Sequence, residues 1–352
     1  MSYEDGWAAI HLQTPSRVPR TEYSADFHWD LVEAVTGIKA GPHSDAVLQA
    51  RAGTAFMRAW DYDFMWNILV SKDDFGGIYT DMGHAEYAAE GSDRRDTVFS
   101  PFRTPEEVLA FDPWERLGPR DHDALVDRFE ANYREQCAKY PFAVNMTGTY
   151  VTLISGLIDL FGWDLLLLAL GEDPARFGAM AGRYAEWMQQ YFDALGDADV
   201  PVVMFHDDIV WASGPFARPA WYRQHVFPHY RKYMAPLLDS GKRVMFCSDG
   251  NFDAFVDDIA ACGFHGFAFE PLTDLAYIAG KYGQTHVIVG NADTRVLLMG
   301  TQDEIRAEVA RCMTFGKPCP GFFLAVGNHI PPNTPVENAL YYNQVYQELS
   351  RR

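Results

Sequence analysis

What most limits the fold of this chain is a rhythm. Short apolar or β-branched runs recur at Arg17–Tyr23, Thr54–Trp60, Phe142–Met146, Val202–Phe205, Arg243–Phe246, Gly266–Phe269, His286–Val289 and Gly321–Val326. Near-continuous apolar strands are what a parallel sheet requires, because crossover helices shield both of its faces from water. Helical patterns fill the later intervals: Pro219–Asp239, Phe252–Cys262, Thr301–Phe315 and Pro335–Ser350. The third opens as a Thr301/Glu304 capping box and closes at Gly316; the fourth has Thr334 as N-cap and Pro335 at the first helical position. Eight strands alternating with helices predict an α/β fold, a single (β/α)8 TIM-type barrel domain spanning residues 1–352. A doubly wound sheet would carry GxGxxG after its first strand, and none follows here. The irregular stretch Asp61–Arg116 reads as an N-terminal insertion or lid over the barrel mouth, with Gly76 and Gly77 as a hinge.

Composition narrows the function. A formal charge of −19 argues against nucleic acid or an anionic membrane surface as a partner, since both demand basic surface. The first residues lack a basic-then-apolar targeting segment. Apolar runs such as Leu165–Leu170 fall well short of the ~20 residues a spanning helix needs. Five cysteines with no CxxC pair predict a reduced, cytoplasmic enzyme.

In such barrels the chemistry sits where strands run into the following loops. The expected strand ends offer Asn145, then His206, Asp207 and Asp208, then Cys247, Asp249 and Asn251, then Glu270, Asn291 and Asp293, and last Asn328 and His329. Each has a plainer reading. Asn251 and Asp293 precede helices and suit N-caps, one of Asp207 and Asp208 suits a cap, and an isolated Cys247 suits a small buried residue. His265 and His286 lie away from the strand ends and read as structural. Cys247 and Asp249, two apart, point to one side of a strand, so with His329 or Glu270 they make a zinc site conceivable.

Together the motifs resemble the uroporphyrinogen decarboxylase superfamily, which includes corrinoid-linked methyltransferases. The matching pieces are Asp207-Asp208 with Gly214-Pro215, Ser248–Asn251, Phe269–Pro271, Gly290–Asp293, and Gly327–Ile330 followed by Thr334-Pro335 and Glu337-Asn338. The resemblance implies a TIM barrel with its site at these strand ends. Two departures choose the branch. The decarboxylases' Arg-rich opening loop is replaced by RVPRTEYSADF, with Arg17 and Arg20 alone, and the acidic chain is a poor receptor for an octa-anionic tetrapyrrole. Thiol-methylating zinc enzymes carry His-x-Cys-Gly-Asn where this chain has Cys247-x-Asp249-Gly-Asn, a harder donor set.

The resemblance therefore implies a corrinoid-dependent methyltransferase working with a corrinoid carrier protein. The small-molecule substrate would be a methoxylated aromatic (O-demethylation) or a methylamine, or the methyl acceptor a thiol or folate-type pterin held by residues such as Asn291, Asn145 and Asp249. Cys247, Asp249, His329 and Glu270 are the expected catalytic group, with Cys247, Asp249 and His329 binding Zn²⁺ or acting as the acid. His206, Asp207, Asp208, Asn291, Asn145 and Asn328 would hold substrate, and Trp60, Tyr62, Phe64 and Trp66 would wall a flat pocket. The competing reading is a decarboxylase or other lyase of a small acid or porphyrinogen.

Overall fold

The computed structural model describes residues 2–81 and 99–352, so residues 82–98 of the expected lid lie outside the described residues. Six strands form one parallel sheet in chain order: β1 (Thr147–Thr149), β2 (Val202–His206), β3 (Arg243–Ser248), β4 (Gly266–Phe269), β5 (Val287–Val289) and β6 (Phe322–Phe323). The registers align His206 with Cys247 and Ser248 with Phe269, which brings the C-terminal ends of three strands side by side. The fold is thus mixed α/β with a parallel sheet. The first apolar run enters through single parallel bridges instead of a full strand: Arg20 to both Leu324 and Tyr62, and Tyr23 to His329. Phe64 likewise bridges Val144.

Alternation along the strands separates two cores. Val202, Met204, Met245, Ala268, Val287, Val289, Phe323 and Ala325 join Ala9 and Ile10 of the helix Ser2–Ile10 on one face. Val203, Phe205, Val244, Phe246, Phe267 and Ile288 meet the surrounding helices on the other. Successive strand residues point to opposite faces, so this period of two assigns every side chain near a strand end to the enclosed face or to the helical layer.

Four sequence expectations need correction. Thr54–Trp60 is not a strand; it ends the helix Ala46–Ala59, capped by the Asp45 side chain on the Leu48 N–H. Ala52, Phe56, Met57 and Trp60 are buried at helical spacing, so the run's composition was β-like but its period was helical. The expected Phe142–Met146 strand is displaced, the ladder running instead over Thr147–Thr149. Pro219–Asp239 is two helices, Pro219–His225 and Phe227–Asp239, the second starting just before Pro228, which supplies no N–H and restricts the residue preceding it. The final helix begins one residue late, at Val336, with Pro335 rather than Thr334 in the cap position. The capping box of Thr301 and Glu304 forms as expected.

Among the described residues one helix, Ile154–Glu172, is long and apolar enough by length and composition to cross a membrane, contrary to the reading from apolar runs. It breaks at Gly162 (φ 74°), and Leu157, Leu160, Phe161 and Leu166 are buried in the core. Tertiary packing accounts for its hydrophobicity.

Close approach in the sheet leaves no room at Gly148. A Cβ there would stand 2.1 Å from the Met204 carbonyl oxygen on β2. Gly148→Ala is expected to lower stability by about 1–3 kcal/mol through overpacking, seen as a lower urea midpoint with unchanged slope.

Candidate functional site

The enclosed face opens at the strand ends into a cavity of about 500 Å³. Its floor comes from Met204, Cys247 and Ala268; His206, Asp249, Asn328 and His329 border it; Tyr23, Trp66 and Tyr150 form aromatic walls. Strand parity explains the selection. Met204 and His206 share one face of β2, as Met245 and Cys247 share one face of β3, and Asp249 continues the same alternation.

Asp207 falls on the opposite parity. It is fully buried, and its carboxylate accepts from the backbone N–H groups of Ile154 (3.1 Å) and Ser155 (2.6 Å) and from the Tyr230 hydroxyl. It anchors the start of the Ile154–Glu172 helix from below, where a carboxylate meets both free N–H groups and the positive end of the helix dipole. It does not reach the cavity. The neighbouring Asp208 does the opposite: it accepts from the Asp249 N–H (2.8 Å) and lies 3.4 Å from His206 Nε2.

His206 is held by three contacts. Its ring stacks on Tyr150 at 4.0 Å, its Nδ1 lies 3.0 Å from the Tyr150 carbonyl oxygen, and Nε2 faces Asp208. Burial opposes the imidazolium, but the Asp208 charge and hydrogen bond outweigh it, with Asp249 adding to them, and the pKa is raised to about 9. At neutral pH this is a buried imidazolium–carboxylate pair.

Asp249 behaves differently. Burial, then repulsion from Asp208 and Glu270, push its pKa well above the ordinary range, against the pull of His206 and an Asn328 hydrogen bond. Asn328 Nδ2 bridges Asp249 Oδ2 (3.2 Å) and Glu270 Oε1 (2.9 Å), while Glu270 Oε2 accepts from the Gly250 N–H (2.7 Å). Three carboxyl groups crowded this closely favour keeping one proton among them. Asp249, at the cavity edge, is the group that holds it.

The remaining expected residues divide. The Cys247 thiol is kept protonated by burial and by Asp249 and Asp208, even though the Tyr23 hydroxyl donates to it. His329 Nδ1 is committed to Ser24 Oγ at 2.7 Å, and burial lowers its pKa. Asn291 is fully buried and directs its Nδ2 to the Thr273 and Glu270 carbonyl oxygens, while Arg311 donates to its Oδ1. Asn145 folds back onto the Tyr140 and Ala143 carbonyl oxygens, before β1 rather than after it. Neither amide borders the cavity: Asn145 satisfies its own turn, and Asn291 the carbonyl groups that follow β4. Asp293 caps the helix Thr294–Met299, and Asn251 accepts from the Asp253 N–H, as their plainer readings held. His265 accepts from the Val244 N–H and likewise serves the backbone.

Zinc and a pterin can be tested on these positions. Among the described residues no group of three or more His, Cys, Asp and Glu side chains is arranged to hold a metal ion. Burial and the nearby carboxyl groups oppose the Cys247 thiolate that zinc would need, and zinc at Cys247, Asp249 and His329 is not shown. Nor do Asn291 and Asn145, turned away from the cavity, fit the pterin-binding role expected of them.

The sequence reading missed Tyr23, Ser24, Asp26 and Tyr150 at the cavity. Tyr23 ends the first apolar run, a position equivalent to the other strand ends, so the signal was there. Tyr150 follows β1, whose shifted bounds hid it. Of the four expected wall aromatics, Tyr62 and Trp66 line the cavity; Trp60 instead stacks on Phe56 (4.6 Å), and Phe64 packs edge-on to Phe323.

Because the His206 pKa is raised, its pairing contributes stability fully below pH ~6.5, and that contribution fades as pH rises through about 9. Its ceiling is about 3 kcal/mol, and deprotonation of Asp249 with rising pH acts in the same direction. In Asp208→Asn the burial cost is left unopposed by this partner. The His206 ring, followed by NMR, should then titrate nearer or below 6.5, and the stability loss between pH 6.5 and 9 should shrink. A wild-type His206 that titrates below 6.5 would show the pair to be wrongly assigned.

Comparison with known proteins places this geometry in a family. Residues 101–348 match the family described as uroporphyrinogen decarboxylase (URO-D). A uroporphyrinogen decarboxylase of Thermus thermophilus is 28% identical over 183 residues, covering 52% of this chain and 51% of that protein. The methylcobamide:CoM methyltransferase MtaA of Methanosarcina barkeri is 31% identical over 193 residues, covering 53% and 52%. The chain thus spans about half the length of these curated relatives. A solved methyltransferase from Methanosarcina mazei has the same fold, with a TM-score of 0.63 at 19% identity over 98% of each chain. With 248 of its residues matched to the family, from 101 to 348, and its strand-end cavity in place, the chain belongs to the uroporphyrinogen decarboxylase family.

Proposed function

We propose that this protein is a methyltransferase that moves a methyl group between a small molecule and a corrinoid borne by a carrier protein, in the cytoplasm, and that its sheet, with the Arg17–Tyr23 and Tyr62–Phe64 segments, is an eight-stranded barrel of one domain. The observation that carries the reading is Asp249: a buried carboxyl group at the edge of an aromatic-walled cavity, crowded by Asp208 and Glu270 and so pushed toward its protonated form. Methyl ethers and amines are poor substrates for displacement because the departing oxygen or nitrogen is a poor leaving group, and a positioned acid corrects that.

The corrinoid supplies the nucleophile that takes up the methyl group. The chain's own residues handle the proton. As the methyl carbon's bond to oxygen or nitrogen breaks, its electron pair stays on the heteroatom, and Asp249 delivers a proton there. Asp208 and Glu270 raise the affinity of Asp249 for that proton beforehand, while His206 keeps Asp208 anionic at neutral pH. Asn328 holds Asp249 and Glu270 in register. In the reverse direction Asp249 would receive the proton of an acceptor. Cys247 and Tyr23 serve as cavity wall and as a hydrogen-bonded pair in this account.

Porphyrinogen decarboxylation is the weaker reading for a stated reason. Among the described residues lining the cavity there is no Arg or Lys. Arg17 is bound to Asp63 at 2.6 Å, and Arg20 lies fully buried against Glu22. A polycarboxylate would meet Asp249, Asp26 and Glu22, with the His206 imidazolium, already paired to Asp208, as the one positive group among the described lining residues.

An anaerobic absorbance assay with cob(I)alamin and methylcob(III)alamin, supplied with candidate methyl donors and acceptors, tests the reading. Enzyme-dependent interconversion is expected, with Asp249→Asn slowing demethylation by ~10²–10⁴-fold. Release of carbon dioxide from a small acid, with no corrinoid requirement, would replace it with a lyase.

A further inference from the structure

We infer that the cavity receives a cationic ligand of the ammonium class bearing an acceptor oxygen, its charge seated against the Tyr23–Trp66 stack and faced by carboxyl groups. The inference concerns what the cavity binds and does not require that ligand to donate the methyl group.

Charges around the cavity leave an acidic excess. Glu22 is matched by Arg20 (2.7 Å), and Asp208 by His206. Asp26 and Asp249 border the cavity, with Glu270 directly behind Asn328, and no paired cation is found for these three among the described contacts. Lys139 acts on Asp26 only as a weaker Coulombic influence, after burial and the backbone hydrogen bond. Burial raises the Asp26 pKa to about 6, and a cation close by would stabilise its ionised form. Repulsion stored among like carboxyl groups is relieved by a positive ligand and aggravated by a negative one.

Aromatic geometry points the same way. Tyr23 and Trp66 stack at 4.5 Å with planes 21° apart, and Tyr62, Tyr140 and Tyr150 add further rings to the lining. Ring faces attract a cation by ~0.5–2 kcal/mol, most when water is excluded.

A second, independent sign of a ligand is unmet hydrogen bonding. Tyr62 lines the cavity at 2% exposure, yet its hydroxyl has no partner, and the Trp66 indole N–H has none either. Buried donors without acceptors are costly, and the indole N–H can only donate. An oxygen on the ligand near its cationic centre would satisfy one or both. Neither an alkylammonium without oxygen nor a neutral hydrocarbon does this.

Calorimetric binding of choline and of its uncharged isostere 3,3-dimethylbutan-1-ol to the full chain provides the test, with 3,3-dimethylbutanoate as the anionic counterpart. Choline should bind at least ~10-fold more tightly than the alcohol, the equivalent of about 1.4 kcal/mol, and the carboxylate not measurably. Trp66→Leu should erase that preference while Trp66→Phe, which restores a ring face, keeps most of it. Tyr62→Phe should weaken choline severalfold and leave tetramethylammonium unchanged. Equal binding of choline and the alcohol, tighter binding of the carboxylate, or no binding of any probe by protein with an intact thermal transition would overturn the inference. The two proposals fail separately. Demethylation of a neutral methoxyarene without choline preference retains the transferase and removes the cation site. Selective choline binding with no methyl transfer to cob(I)alamin from any donor retains the site and removes the transferase.

Discussion

The structure depends on one buried ion pair. Arg20 is fully buried, its guanidinium lying over the rings of Trp60, Tyr342 and Tyr346 and bonded to Glu22 and Asn343. Glu22 in turn accepts from the Val326 N–H (2.9 Å) and the Tyr342 hydroxyl (2.9 Å). This network fastens the first extended segment to the end of the last strand and to the final helix, Val336–Leu349. A pair at this depth is favourable only where further hydrogen bonds and ring faces replace the lost water, and here they do. Its position also decides chemistry. With Arg20 turned into the helical layer and Arg17 bound to Asp63, the two arginines that might have received an anionic substrate are structural.

Much of the site was legible in the sequence, though by a different rule from the one that seemed decisive. Convergence of polar residues at strand ends located the region. Parity then sorts the members: His206 follows Met204, and Cys247 and Asp249 follow Met245, all on the enclosed face. Asp207 lies between His206 and Asp208, in phase with Phe205 and the helical layer, and so becomes the anchor of a helix. Applied consistently to VMFHDD, the period of two separates the cavity residues from the cap without any structure.

The failures share a cause. Thr54–Trp60 and Phe142–Met146 were assigned from composition, and composition does not distinguish a buried helix from a buried strand. Type and place point Asn145 and Asn291 to the site, but an amide that meets unsatisfied carbonyl oxygens, in its own turn for Asn145 and after the neighbouring strand for Asn291, is taken up by them. His329 Nδ1 meets a partner 305 residues earlier in the chain, Ser24. No local pattern announces such a contact. Tyr150 and Asp26 belong to the same class, since their places at the cavity depend on which segments the parallel sheet and its bridges make adjacent.

Acids at the ends of β3 and β4 stay where the fold puts them, because Asn328 bridges Asp249 and Glu270 and the Gly250 N–H holds Glu270. With Arg17 and Arg20 withdrawn into ion pairs, these acids repel anions and one another. Repulsion among carboxyl groups then has two outcomes in a closed cavity: one of them holds a proton ready for transfer, or a cation enters and releases it. Asp249 can follow either course because Asp208 is already matched by His206 and Glu270 is not.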